Sequence, residues 1–139
     1  VVKMILESAQ LLCTAHHVCP SDAERPEKFY KSTHVNHPCS VWVRACVGNY
    51  SWLRDHAYAL LDEYTHRYGK KHASTPVIDW CGSNNPDIPS GKFTDVAQCM
   101  PEEYKANDPV IAYRDYYNKA KSHLHSWKNR QVPDWISHE

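Results

Sequence analysis

Apolar positions recur at helical spacing almost from the first residue. Val2, Ile5, Ala9, Leu12 and His16 fall at i, i+3, i+7, i+10 and i+14, one stripe of a 3.6-residue period. The spacing predicts a helix over 1–18, stopped by Pro20 and Ser21-Asp22. Residues 20–33 are polar and contain Pro26, so they read as a surface loop with one turn around Phe29-Tyr30. Pro38 suits a first helical position, with Asn36 or His37 as its cap. Val41, Trp42, Ala45 and Cys46 then give a short apolar face. Gly48-Asn49 interrupts it, and Asn49 is expected to cap the next helix. That helix carries Leu53, Ala57, Leu60, Tyr64 and Tyr68 on one stripe. Gly69 stands where a left-handed C-terminal residue belongs. Lys70, Lys71 and His72 follow at the negative end of the helix dipole.

The second half is less regular. Thr75-Pro76 starts a short turn through Trp80, and 82–92 is a loop. Thr94 is expected to cap a short helix reaching Met100, and Pro101 with Glu102-Glu103 starts another turn. Asp108-Pro109 opens a last long helix whose stripe is Val110, Tyr113, Tyr117, Ala120, Leu124 and Trp127. Pro133 ends it, and Trp135 is expected to tuck back as an anchor. Every strong period is helical and none alternates. The expected fold is all-α: a single compact helical domain over 1–139, with three longer helices and several short ones.

Composition narrows this picture. The 139 residues suit one domain, and 16 Lys+Arg against 16 Asp+Glu leave no net charge. A histone-like or polyacidic protein is thereby excluded. Aromatic content of 12% supplies a core and argues against disorder. No apolar run is long enough to span a bilayer, and no signal peptide is visible. No membrane partner is therefore expected, and the expected location is the cytoplasm, a host cell's if the chain is viral. The six cysteines, Cys13, Cys19, Cys39, Cys46, Cys81 and Cys99, include no C-x-x-C pair. Four sit in apolar helical patterns, so reduced structural thiols are expected. The chain opens with Val1 inside an apolar repeat rather than with Met, as expected of a protein lacking its native N-terminal segment. Ten histidines would turn the neutral surface cationic on mild acidification.

Three segments could carry chemistry. His34, His37 and Cys39 lie just before a helix, where they are either metal-ligand types, polar groups of an active-site loop, or side chains satisfying backbone groups. Their spacing matches no zinc framework, and no metal is assigned. Glu63, His66, Arg67 and Lys70 fall at i, i+3, i+4 and i+7 and share a helix face. That face is either a solvated charged surface or a carboxylate beside cations that bind phosphate. The C-terminal part interleaves Tyr113, Tyr116, Tyr117 and Trp127 with Arg114, Lys119, Lys121 and Arg130, which suits either a core stripe or base stacking with phosphate contacts. There is no Gly-rich phosphate loop, G-x-S-x-G, H-E-x-x-H or EF-hand pattern, and no cofactor is expected.

Several runs together resemble a largely uncharacterised family of small phage and marine metagenomic proteins. They are His34-Val35-Asn36-His37-Pro38-Cys39, Trp42-Val43-Arg44, Asn49-Tyr50-x-Trp52-Leu53, Glu63-Tyr64-x-x-Arg67-Tyr68-Gly69-Lys70-x-His72, Met100-Pro101-Glu102-Glu103-Tyr104-Lys105, Ala112-Tyr113-Arg114-Asp115-Tyr116-Tyr117, Trp127-Lys128 and Arg130-x-x-Pro133-x-Trp135. The resemblance covers nearly the whole chain, and it implies a further segment before Val1. More distantly, the chain is similar to pyrimidine-dimer DNA glycosylases of the phage endonuclease V type, which are also all-α. That similarity implies attack by an N-terminal amine assisted by a carboxylate of the first helix, where Glu7 is the only acid. A chain without that N-terminus is not expected to act as a lyase.

The leading expectation is a viral nucleic-acid-directed protein of the base-excision kind, which extrudes a base and reads it in a pocket. Glu63 is the favoured catalytic carboxylate, with His34 and His37 as polar pocket groups. Arg44, Arg67, Lys70, His72, Lys121 and Arg130 are the expected contacts to DNA. Two other readings stand beside it. One is a metal-dependent hydrolase or nucleotide-processing enzyme built on His34, His37 and Cys39. The other is a non-enzymatic phage interaction protein. The oligomeric state is left open.

Overall fold

The computed structural model describes residues 2–98 and 100–136. Their secondary structure is helical with no strand: α1 (Val2–Val18), α2 (Pro38–Val43), α3 (Val47–Tyr68), α4 (Thr75–Ser83) and α5 (Pro109–Ala120), plus 3-10 turns at Glu102–Tyr104 and Ser122–Leu124. The all-α class holds, and α1, α3 and α5 are the three longer helices. None of these helices is long and apolar enough to cross a membrane. The chain forms two compact units, residues 1–94 and residues 95–139.

In the first unit α3 packs against α1 and α4, and α2 lies against α1 and α3. The interior is made by Ile5, Ala9, Leu12 and Ala15 of α1, Tyr50, Leu53, Ala57, Leu61 and Tyr64 of α3, and Val77 and Ile78 of α4. Each large aliphatic side chain buried here stabilises the unit by about 1.5–3 kcal/mol. The stripe expected on α1 is buried from Ile5 to His16, while Val2 stays in solvent. On α3 the stripe drifts: Leu61 is buried, Leu60 only flanks the core, and Tyr68 is exposed. α2 turns differently from its expected face, burying Ser40 and Val43 and leaving Val41 outside. Six residues make too short a stripe to set their own register, so contact with α1 and α3 sets it.

The start of α3 also departs from expectation. Its N-cap is Cys46, which makes no side-chain capping bond, and Asn49 lies inside the helix. The first amides of α3 are satisfied instead by a distant strap. Val47 N–H donates to the Pro89 carbonyl at 2.9 Å and Gly48 N–H to that of Gly91 at 3.0 Å. Fully buried Asn49 then grips the end of the strap. Its Nδ2 donates to Thr94 Oγ1 at 3.0 Å, and its Oδ1 accepts from the Thr94 amide at 2.9 Å. Thr94 held this way starts no helix: residues 90–98 are non-helical. Cys99, in the expected 94–100 helix, lies outside the described residues.

The second unit is built around α5. Asp108 caps it by accepting from Val110 N–H at 2.9 Å, with Pro109 in the first turn, as the sequence predicts. The helix ends at Ala120, so Leu124 and Trp127 leave the expected stripe. Among the unit's described residues only Ala112 and Ile136 are buried. Packing is aromatic instead: the Tyr117 ring stacks on His125 at 4.6 Å and lies 6.0 Å from Trp135. Trp135 does fold back, its carbonyl accepting from Asn118 Nδ2 at 2.9 Å and its ring lying 5.0 Å from the Arg114 guanidinium.

Candidate functional site

The charged face of α3 is partly spent internally. Arg67 Nε donates to Glu63 Oε1 at 3.1 Å, one helical turn apart, and the two side chains are only 10% and 22% exposed. His66 and Lys70 are exposed, as is Lys71. The helix closes at Gly69, left-handed at φ 67°, whose amide donates to the Thr65 carbonyl at 2.8 Å. His72 turns inward after it. Its Nδ1 accepts from Ser74 N–H at 3.0 Å, and its ring meets Tyr64 edge-on at 5.0 Å. From His66 to His72 the chain thus makes a corner with three cations, two histidines and no acid.

The histidine loop has a local structural role. His34 is exposed at φ 48°, and its carbonyl accepts from His37 N–H at 3.0 Å. His37 caps α2, with Nδ1 accepting from Cys39 N–H at 3.1 Å. Arg44 ties the loop down by donating through Nη1 to the Val35 carbonyl at 2.7 Å. Neither of two surface depressions, of about 420 and 430 Å³, is lined by His34, His37 or Glu63. In the second unit, the Lys121 ammonium lies 5.4 Å from the Tyr116 ring, and Arg130 is exposed beyond the left-handed Asn129. No group of three or more His, Cys, Asp or Glu among the described residues could hold a metal ion. Cys13, Cys19, Cys46 and Cys81 are free thiols.

An aromatic cluster that the sequence reading did not single out covers the start of α3. Trp52 stacks on His56 at 5.1 Å with planes 9° apart. Trp42 stands edge-on to both Trp52 and Phe93, at 5.8 and 5.7 Å, and Trp52 lies 5.8 Å from Phe93. Burial holds the His56 imidazole below its ordinary pKa, favouring its neutral form. Phe93 reaches the cluster only through the strap, so no local spacing reveals it. The i, i+4 pair Trp52/His56 was the one legible signal.

A second cluster is interior. His16 Nε2 lies 2.7 Å from Tyr50 Oη, which donates to the Cys81 carbonyl at 3.0 Å. Phe29 and Trp80 enclose the imidazole. Burial first, then the nearby Arg25 charge, hold His16 at about 4. Burial likewise pushes the Tyr50 phenol up. Neither of the two depressions is lined by a residue of this cluster, whose His16 and Tyr50 are fully buried. Comparison of the chain with protein-family models, curated proteins and solved structures gives no match.

Proposed function

We propose that this chain is a nucleic-acid-directed protein that meets phosphates at the corner closing α3. The carrying observation is the acid-free run from His66 to His72, with Lys70 and Lys71 exposed where Gly69 turns the backbone out of the helix. Clustered ammonium groups attract a polyanion even where the whole chain is neutral, because the field at the contact is local. Arg67 is ion-paired, which leaves Lys70 and Lys71 as the exposed cations of this corner.

Base excision is the finer reading, and Glu63 is its carboxylate. Held by Arg67, Glu63 fits the role of a fixed negative charge that stabilises a developing cation at the sugar, rather than that of a proton donor. His34 and His37 are then supports of the loop, not groups that meet a base.

The phosphate contact is tested by the double variant Lys70→Ala/Lys71→Ala. Anisotropy of a labelled oligonucleotide, titrated at several salt concentrations, gives the slope of log K against log salt. Removing two phosphate contacts should reduce that slope by about 1.4–1.8. An unchanged slope would place the contact elsewhere. Release of a base from lesion-bearing DNA, lost in Glu63→Gln, tests the finer reading.

A further inference from the structure

The interior of the first unit buries two thiols side by side. Cys13 lies on α1, one turn before His16, and Cys81 lies on α4, which packs directly against α1. Both are fully buried in the same core cluster. Their side chains hydrogen-bond to each other, with Cys81 as donor. Tyr50 closes the group, its Oη donating to the Cys81 carbonyl at 3.0 Å and lying 2.7 Å from His16 Nε2. Cys46 is placed differently, with Sγ donating to the Lys92 carbonyl at 3.4 Å. Two thiols in contact across two packed helices meet the first requirement of a disulfide, that the backbones already bring the sulfur atoms together.

Packing alone asks less of these positions. A core needs only the volume of a small hydrophobe, and a single thiol supplies it. A pair adds a two-electron chemistry that neither thiol offers alone. The two partners are also unequal. The bond from Cys81 holds the Cys13 thiol below its ordinary pKa against the opposing effect of burial, and the Arg25 charge acts in the same direction as the bond. The same bond, together with burial, pushes the Cys81 thiol up. Cys13 is thus the nucleophile of the pair, and Cys81 keeps its proton until the second step.

We propose that Cys13 and Cys81 are a redox-sensitive pair that a peroxide closes to a disulfide between α1 and α4. The oxidant is small because both sulfur atoms are shut off from solvent and are reached only through local opening of the helices. In the first step the Cys13 thiolate attacks one peroxide oxygen. The O–O bond breaks, Cys13 becomes a sulfenic acid, and the departing hydroxide takes up the thiol's proton as water. In the second step the Cys81 sulfur attacks the Cys13 sulfur. The S–S bond forms, the S–O bond breaks, and the hydroxyl leaves with the Cys81 proton as a second water. The two thiols lose two electrons and the peroxide gains them. The new bond closes residues 13–81 into a covalent loop that contains α2, α3 and the cationic corner. It restricts the unfolded chain far more than the folded one, so oxidation sets the stability of the first unit.

The test takes the full reduced chain, treats it with hydrogen peroxide in slight excess, alkylates it under denaturing conditions and digests it without reductant. Mass spectrometry should find one cross-linked pair of peptides, carrying Cys13 and Cys81 and lighter by two hydrogens. The melting temperature should rise by about 10 °C and return when dithiothreitol is added. Cys13→Ser and Cys81→Ser should each abolish the cross-link and the rise, whereas Cys46→Ser should keep both. The peptide map of the wild-type chain needs no variant, so it decides the question even if a serine variant fails to fold. Recovery of Cys13 and Cys81 as alkylated thiols would overturn the pair. So would bonds to other cysteines in place of this one, or a Cys13 sulfinic acid beside a reduced Cys81. A cross-link with no rise in melting temperature would overturn the stabilising role.

Discussion

His16 sits in the interior with Nε2 against Tyr50 and with Nδ1 unpartnered, so a second proton would add charge to a closed, largely aromatic site. Its pKa of about 4 lies below the ordinary 6.5. The unfolded chain therefore binds the proton more readily than the folded one. The stability this confers is fully present above pH 6.5 and is lost as pH falls toward 4. His56, lowered by burial, acts in the same direction. Denaturant unfolding should lose about 2 kcal/mol from His16 between pH 7.5 and pH 5, above most carboxylate titration. A stability flat over that range would contradict the buried neutral imidazole. The helical period placed His16 on the core stripe correctly. Its bond to Tyr50, 34 residues away, has no local signature.

At the scale of elements, the helices whose signals are local were legible. Gly69 closing α3, Asp108-Pro109 opening α5 and His37 before Pro38 act within a turn of the residues that reveal them. The start of α3 was not legible, because its capping carbonyls come from a strap more than forty residues later. Asn49 looked like a cap and is a clamp. The α5 stripe failed for another reason: the helix stops at Ala120, and its unit is too small to bury an aliphatic face. The same strap explains Gly48. A Cβ there would lie 2.6 Å from the Gly91 carbonyl oxygen and closer still to Phe93 N. Gly48→Ala should therefore lower stability by about 1–3 kcal/mol and free Phe93 from the cluster. Thermal melting, with the fluorescence of Trp42 and Trp52 as local reporter, checks this. An unchanged melt and spectrum would mean that the strap does not press on α3.

For the molecule as a whole, zero net charge predicted little about where charge sits. Cations gather at 66–72, a run that holds no Asp or Glu. The predicted site was half legible for the same reason. Spacing found Glu63, Arg67 and Lys70 on one face, but could not show that Arg67 is consumed by Glu63 or that exposed rings lie toward the other end of the helix. The most direct measurement is a titration of the intact wild-type chain against a labelled oligonucleotide at neutral pH, repeated from low to physiological salt. Saturable binding that weakens steeply as salt rises is the predicted result. Absence of binding at low salt, with protein at concentrations well above those of ordinary non-specific association, would contradict it.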